Sequence, residues 1–188
     1  ARRRVSAASV GKLIGKVFVS CVSKWKVHNP HVLVMRGAAT DNNATLFAQG
    51  YNSVLKPYFD SGQYTKVGEP AGTWDPPTAQ TTFQQRYTAH RDMNSVVMPN
   101  DDTANAVISA IKTLNIKPDT FPVTGQDATL TGLQNVLSGY QCGTVYKPIY
   151  LEAQAAAALA LYLRAGQTPP KGLVNGTTTD TQAHTDVP

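Results

Sequence analysis

The chain has 188 residues, 41% of them hydrophobic and 15% charged, with a formal net charge of +5. That length suits one domain, or one domain with an appendage, and builds a core without metal or disulfide staples. Arg2, Arg3 and Arg4 carry much of the positive charge and the other basic residues are scattered among acidic ones, which excludes the basic face that nucleic-acid binding needs, and no 18-residue apolar run is present to span a membrane.

The opening 22 residues imitate a secretory signal, but Lys12 and Lys16 interrupt the apolar stretch and no small-residue cleavage site follows. Leu13, Val17, Phe18, Cys21, Val22 and Trp25 recur at spacings of three and four, so residues 12–27 are expected to form an amphipathic helix. Residues 31–37 form a short apolar run ending in glycine, as in a strand buried on both faces. A second helix is expected over 44–58, with Leu46, Phe47, Tyr51, Val54, Leu55 and Tyr58 on one face. Residues 64–67 form a strand, and Asp75 followed by Pro76 opens a helix that buries Ala79, Phe83 and Tyr87. A strand over 96–98, a helix over 102–114, a strand over 121–124, a helix over 130–137 and a strand over 144–146 follow. An Ala-rich helix covers 149–165. From Thr168 onward the chain is polar and reads as a linker or tail.

Strands spaced by about 25–33 residues with helices between them are strand–helix–strand crossovers. The expected fold is α/β, a three-layer αβα doubly wound parallel sheet. In such sheets ligands bind at the carboxyl ends of the strands. The segments there are Thr40-Asp-Asn-Asn43, Glu69 to Trp74, Pro99-Asn-Asp-Asp102, Gly125-Gln-Asp127 and Lys147. Carboxylate and amide groups supply donors and acceptors for hydroxyls, and an indole offers a flat apolar face to a pyranose ring. This is a neutral-sugar mixture. A phosphate site would want a Gly-rich loop at a helix N-terminus without carboxylates. Taken singly, Asp41, Asn100 or Asp127 reads as a helix cap, whereas five consecutive loops of this kind point to a rim.

No reaction chemistry stands out, and no cofactor or metal is expected. The sequence has no Gly-x-Ser-x-Gly elbow, no Gly-x-Gly-x-x-Gly and no phosphate loop. The histidines 28, 31, 90 and 184 lie away from the strand ends, and the His28-x-x-His31 pair sits in a Pro-containing loop with no cysteine or carboxylate beside it. Asp101-Asp102 reads as a helix start. The two cysteines, Cys21 and Cys142, fit either two buried thiols or one long-range disulfide.

The same rim segments carry a resemblance. Thr40-Asp-Asn-Asn-Ala-Thr-Leu-Phe47, Pro99-Asn-Asp-Asp102, Thr124-Gly-Gln-Asp-Ala128 and Thr144-Val-Tyr-Lys-Pro148 occur in order between about Val10 and Gly166. In these the chain resembles the type I periplasmic sugar-binding proteins of ABC importers, the ribose/xylose class. It is most similar to the D-xylose-binding group, in actinobacterial style. The resemblance implies a two-lobe clamp that closes on a monosaccharide, D-xylose first. It implies contacts from Asp41 and Asn43, stacking on Trp74, hydroxyl partners at Asn100 and Asp127, and Lys147 at the hinge. It also implies ABC permease subunits as membrane partners, no nucleic acid, no enzymatic activity, and an extracellular or cell-surface location, secreted or lipid-anchored.

Where the family has an arginine one helical turn after the Asp-Asn-Asn segment, this chain has Ala48, and Val5-Ser-Ala-Ala-Ser9 replaces an acidic hinge segment. Family members are nearly twice this length. The expected organisation is therefore a C-terminal lobe over 1–147, a hinge-crossing helix over 148–166 that belongs on a missing N-terminal lobe, and a polar tail or crossing segment over 167–188. That helix is expected to dock on a partner or fold back, and the lobe alone to bind sugar weakly. The competing reading is the effector-binding domain of a lactose-repressor-type regulator, which shares the fold.

Overall fold

The computed structural model describes residues 6–174 and the backbone of 178–180 and 185–187. The elements run α1 (Ala7–Lys24), β1 (His31–Val34), α2 (Asn42–Asp60), β2 (Thr65–Gly68), α3 (Pro76–Ala89), β3 (Ser95–Val97), α4 (Asp101–Thr113), β4 (Thr124–Gln126), α5 (Leu130–Leu137), β5 (Gly143–Val145), α6 (Ile149–Arg164), β6 (Thr178–Asp180) and β7 (Thr185–Val187). They divide into a first unit, Ala1–Tyr146, and a second, Lys147–Pro188.

In the first unit, β2, β1 and β3 pair in parallel in that order, and β4 pairs in parallel with β5. A single parallel bridge from Val96 to Val123 connects the two groups, giving the order 2-1-3-4-5. Pro122 explains the thin junction. It has no N–H to donate, and only its carbonyl takes part, accepting from Val96 N at 2.9 Å. The regular ladder of β4 therefore begins at Thr124, three residues later than the apolar run at 121–124 suggested. The Thr124 side chain reinforces the seam: its Oγ1 accepts from Met98 N at 2.8 Å and donates to Met98 O at 3.0 Å.

The strand alternation sorts the core into two faces. Val32, Val34 and Val97 point toward Ile14 and Phe18 of α1 and Phe47, Tyr51 and Leu55 of α2. Leu33, Met35, Val96 and Met98 point the other way, toward Phe83 of α3 and Val107, Ile108 and Ile111 of α4. Helix α5 packs on α4 and β5. The result is helix, sheet, helix, as the alternation of elements implied. Each fully buried side chain of this size stabilises the fold by about 1.5–3 kcal/mol.

The buried face of α1 differs from the one its large apolar residues suggested. Leu13 is 48% exposed, Val17 and Trp25 are half-buried, and the buried line is Val10, Gly11, Ile14, Gly15, Phe18, Cys21 and Val22. The glycines set this rotation. A Cβ on Gly11 would overlap the Phe47 carbonyl, and one on Gly50 of α2 would overlap the Ala8 carbonyl. The two helices approach backbone to backbone along that line. At the far end of α1, Cys21 is disulfide-bonded to Cys142, which directly precedes β5, with Cα atoms 5.9 Å apart.

In the second unit, α6 buries no residue, and Ile149, Tyr150, Leu161 and Leu163 are 49–69% exposed. The stretch read as a plain polar tail contains an antiparallel pair, with Thr178 opposite Val187 and Asp180 opposite Thr185. Among the described residues no helix is long and apolar enough to cross a membrane.

Candidate functional site

The order 2-1-3-4-5 reverses direction between β1 and β3, and this switch point opens a crevice at the carboxyl ends of those strands. The loops that follow β1 and β2 are fastened together there. Thr73 N donates to Arg36 O at 3.0 Å. A Cβ on Gly72 would overlap the Gly37 carbonyl, and a Cβ on Gly37 would overlap the indole ring of Trp74. Both glycines are needed because two backbones and a ring share one place. The half-buried Trp74 then donates its Nε1–H to Asp41 Oδ2 at 3.0 Å, while Asp41 Oδ1 accepts from Asn43 N at 2.8 Å as the N-cap of α2. A hydrogen bond to a carboxylate is worth about 1.5–3 kcal/mol, enough to hold the indole in one orientation.

Arg36 and Glu69 belong to the same rim. Arg36 Nε lies 3.8 Å from Glu69 Oε1, and Glu69 Oε2 takes Lys66 Nζ at 2.7 Å. Arg36 was not among the sequence candidates because it closes an apolar run. Its signal was position: it is the first charged residue after β1. Burial pushes the Tyr51 phenol well above its ordinary range, with the Arg36 charge opposing and the Glu69 charge adding to the shift.

On the other side of the switch point, Asn100 is the N-cap of α4, its Oδ1 accepting from Thr103 N at 3.1 Å. Gln126 ties the next strand end to it, donating from Nε2 to Pro99 O at 3.1 Å. Asp127 behaves differently from Asp41 and Asn100. Thr129, not Asp127, caps α5, and Asp127 is exposed on a turn with φ of +99°. Capping therefore accounts for the placement of two of these three residues and leaves that of Asp127 to another cause. Asn43 is exposed in the first turn of α2. Lys147, half-buried, opens the second unit.

The structure thus joins Asp41 and Trp74 directly and sets Asn43, Asn100 and Asp127 on the same edge of the sheet. An open hollow of about 490 Å³ lies between the loop after β2 and α3, lined by residues such as Gly72, Thr78, Thr82 and Arg86. It includes none of Asp41, Asn100 or Asp127, so it is not the strand-end crevice. Among the described residues no group of three or more His, Cys, Asp or Glu side chains is placed to hold a metal.

A parallel 2-1-3-4-5 sheet with carboxylate, amide and indole groups along its carboxyl edge is the arrangement of a doubly wound ligand-binding lobe, and the family match narrows it to the periplasmic binding proteins. The chain belongs to this family: residues 4–168 match the periplasmic binding protein domain. It is 38% identical over 162 residues to the D-xylose-binding periplasmic protein of Escherichia coli (strain K12), covering 85% of this chain and 47% of that protein. It is 32% identical over 152 residues to the multiple sugar-binding periplasmic protein SbpA of Azospirillum brasilense, covering 73% of this chain and 43% of the other. Among solved structures, an ABC transporter solute-binding protein from Clostridium phytofermentans with bound β-D-glucose superimposes with a TM-score of 0.81 at 27% identity, covering 97% of this chain and 59% of that one. The chain spans about half the length of the curated relatives it matches.

Proposed function

We propose that this chain supplies one ligand-binding lobe of a solute-binding subunit of an ABC sugar importer, and that its ligand is a neutral monosaccharide, D-xylose first. The carrying observation is the Asp41–Trp74 pair, an indole oriented by a carboxylate at the switch point of the sheet. A pyranose lays its C–H face on such a ring and its hydroxyls against carboxylate and amide groups. Asn43, Asn100 and Asp127 are the further hydroxyl partners, and Lys147 stands at the hinge to the second lobe of the clamp. The exposed apolar side of α6 docks on a second lobe, which supplies the other half of the sugar's contacts. The role is binding and delivery to permease subunits in the membrane, without catalysis.

The relatives' names support this reading: the E. coli protein is D-xylose-binding and periplasmic, and the C. phytofermentans protein holds glucose. The Cys21–Cys142 disulfide fits an extracytoplasmic location and weighs against a cytosolic lactose-repressor-type regulator. A titration of pentoses and hexoses against the natural protein that carries this chain tests the proposal. Saturable binding that is lost in Asp127→Ala and in Trp74→Ala is expected. A folded protein that ignores every monosaccharide offered contradicts it.

A further inference from the structure

We propose that Asp101 and Thr144 are positioning residues of the sugar site, fixing the turn that carries Asp127; this rests on the sugar-binding reading above. Asp127 and Ala128 have φ of +99° and +50°. Residues with a Cβ adopt that region at a cost, and they stay there only where the surroundings over-determine them. Three successive N–H groups of this turn are each tied down. Asp127 N donates to Val145 O at 2.9 Å, Ala128 N to Thr144 Oγ1 at 3.1 Å, and Thr129 N to Asp101 Oδ2 at 2.9 Å. The first acceptor is backbone and survives any substitution. The other two exist only because of the side chains at 144 and 101.

Asp101 has no exposed surface. Its Oδ2 also accepts from the Thr129 hydroxyl at 3.2 Å, and its Oδ1 accepts from Gln141 Nε2 at 2.8 Å. Two glycines make the space: a Cβ on Gly125 would overlap Oδ1 and a Cβ on Gly132 would overlap Oδ2. The carboxylate is itself the cap of neither helix: Asn100 caps α4, and Thr129 caps α5 with its hydroxyl donating to Asp101. An apolar residue would fill the position without the cost of burying a polar group. The bonds it makes instead run from the residue next to Asn100 to the turn that presents Asp127. They set one rim residue against the other, across two strands, before any ligand arrives. Pre-setting of this kind preserves affinity, because the turn does not have to be ordered when the ligand binds.

The test uses the natural protein that carries this chain, titrated calorimetrically with D-xylose and with D-glucose, alongside circular dichroism and thermal melting at the assay conditions. Thr144→Val keeps the side-chain shape and removes the acceptor; it should weaken binding about tenfold while the protein stays folded. Thr144→Ser keeps the hydroxyl and should bind within about twofold of the parent. Asp101→Asn leaves one oxygen where the Thr129 and Gln141 donors now share two, and should weaken binding by about ten- to a hundredfold. Folded Thr144→Val and Asp101→Asn proteins that bind within about twofold of the parent, even if they melt earlier, would overturn the positioning role and leave the sugar reading intact. Should Asp101→Asn fail to fold, the Thr144→Val and Thr144→Ser pair decides by the same criterion. A parent that binds neither sugar would overturn the sugar reading, and the positioning role with it.

Discussion

Removing the disulfide should destabilise the first unit more than any surface change. Cys21 and Cys142 are separated by 121 residues, so the bond closes a loop over most of that unit and pins the end of α1 to the start of β5. In the chain-entropy account a loop of this size restricts the unfolded chain by about 5 kcal/mol, and measured losses fall mostly at about 2–4 kcal/mol because the unfolded state keeps some structure. At about 2–4 °C per kcal/mol for a domain of this size, a Cys21→Ser/Cys142→Ser protein should melt about 10 °C below the parent. The assay is a thermal melt by circular dichroism, repeated on the parent after reduction, with thiol titration of the denatured parent as the control. The reasoning fails if the double variant melts within about 2 °C of the parent, or if the unreduced parent shows two titratable thiols.

Three further outcomes follow from single contacts. Gly50→Ala should cost about 1–3 kcal/mol in urea unfolding, because the new Cβ meets the Ala8 carbonyl and backbone there cannot move aside cheaply; an unchanged midpoint would mean α1 and α2 are not that close. Gly37→Ala should push the Trp74 indole off its seat, read in a Trp25→Phe background as a red-shifted emission together with weaker sugar binding; unshifted emission and unchanged binding would count against the clasp between the two loops. Burial and then the Tyr58 charge push the Tyr64 phenol from 10.0 up to about 12. Below pH 10 both folded and unfolded chains keep the proton. Between pH 10 and 12 only the unfolded chain has lost it, so stability falls as pH rises, by up to about 1.4 kcal/mol per pH unit. Tyr64→Phe should lose visibly less between pH 9 and 11 in urea midpoints, with a remaining slope from Tyr51, which is shifted the same way. Equal losses in parent and variant would show that Tyr64 titrates normally.

The layered architecture was legible because apolar period and punctuation agree along the chain. The run at 31–37 reads as a doubly buried strand, and Asp75-Pro76 reads as a capped helix start; the structure has β1 at His31–Val34 and α3 starting at Pro76 with Asp75 as its cap. The strand-end segments were legible for the same reason, since the end of each strand locates them before any side chain is placed. What was not legible depends on distances between segments far apart in sequence. The face of α1 is chosen by Gly11 and Gly50, which carry no hydrophobic signal. The cysteine partnership depends on where α1 ends relative to β5, which no local pattern encodes. Asp101 looks like any acidic residue in the first turn of a helix, and its bonds to Thr129 and Gln141 span 28 and 40 residues. The pairing of Thr178–Asp180 with Thr185–Val187 was hidden by a composition rich in Thr and Gly, whose apolar period is too weak to announce strands.

The central claim is that the rim binds a neutral monosaccharide. Its most direct test is calorimetric titration of the natural protein that carries this chain with D-xylose, followed by other pentoses and hexoses. The account predicts saturable one-to-one binding of at least one of them, abolished by Asp127→Ala and by Trp74→Ala while the melting curve stays cooperative. A folded protein that binds none of these sugars would contradict it and would leave Asp41 and Asn100 as helix caps only.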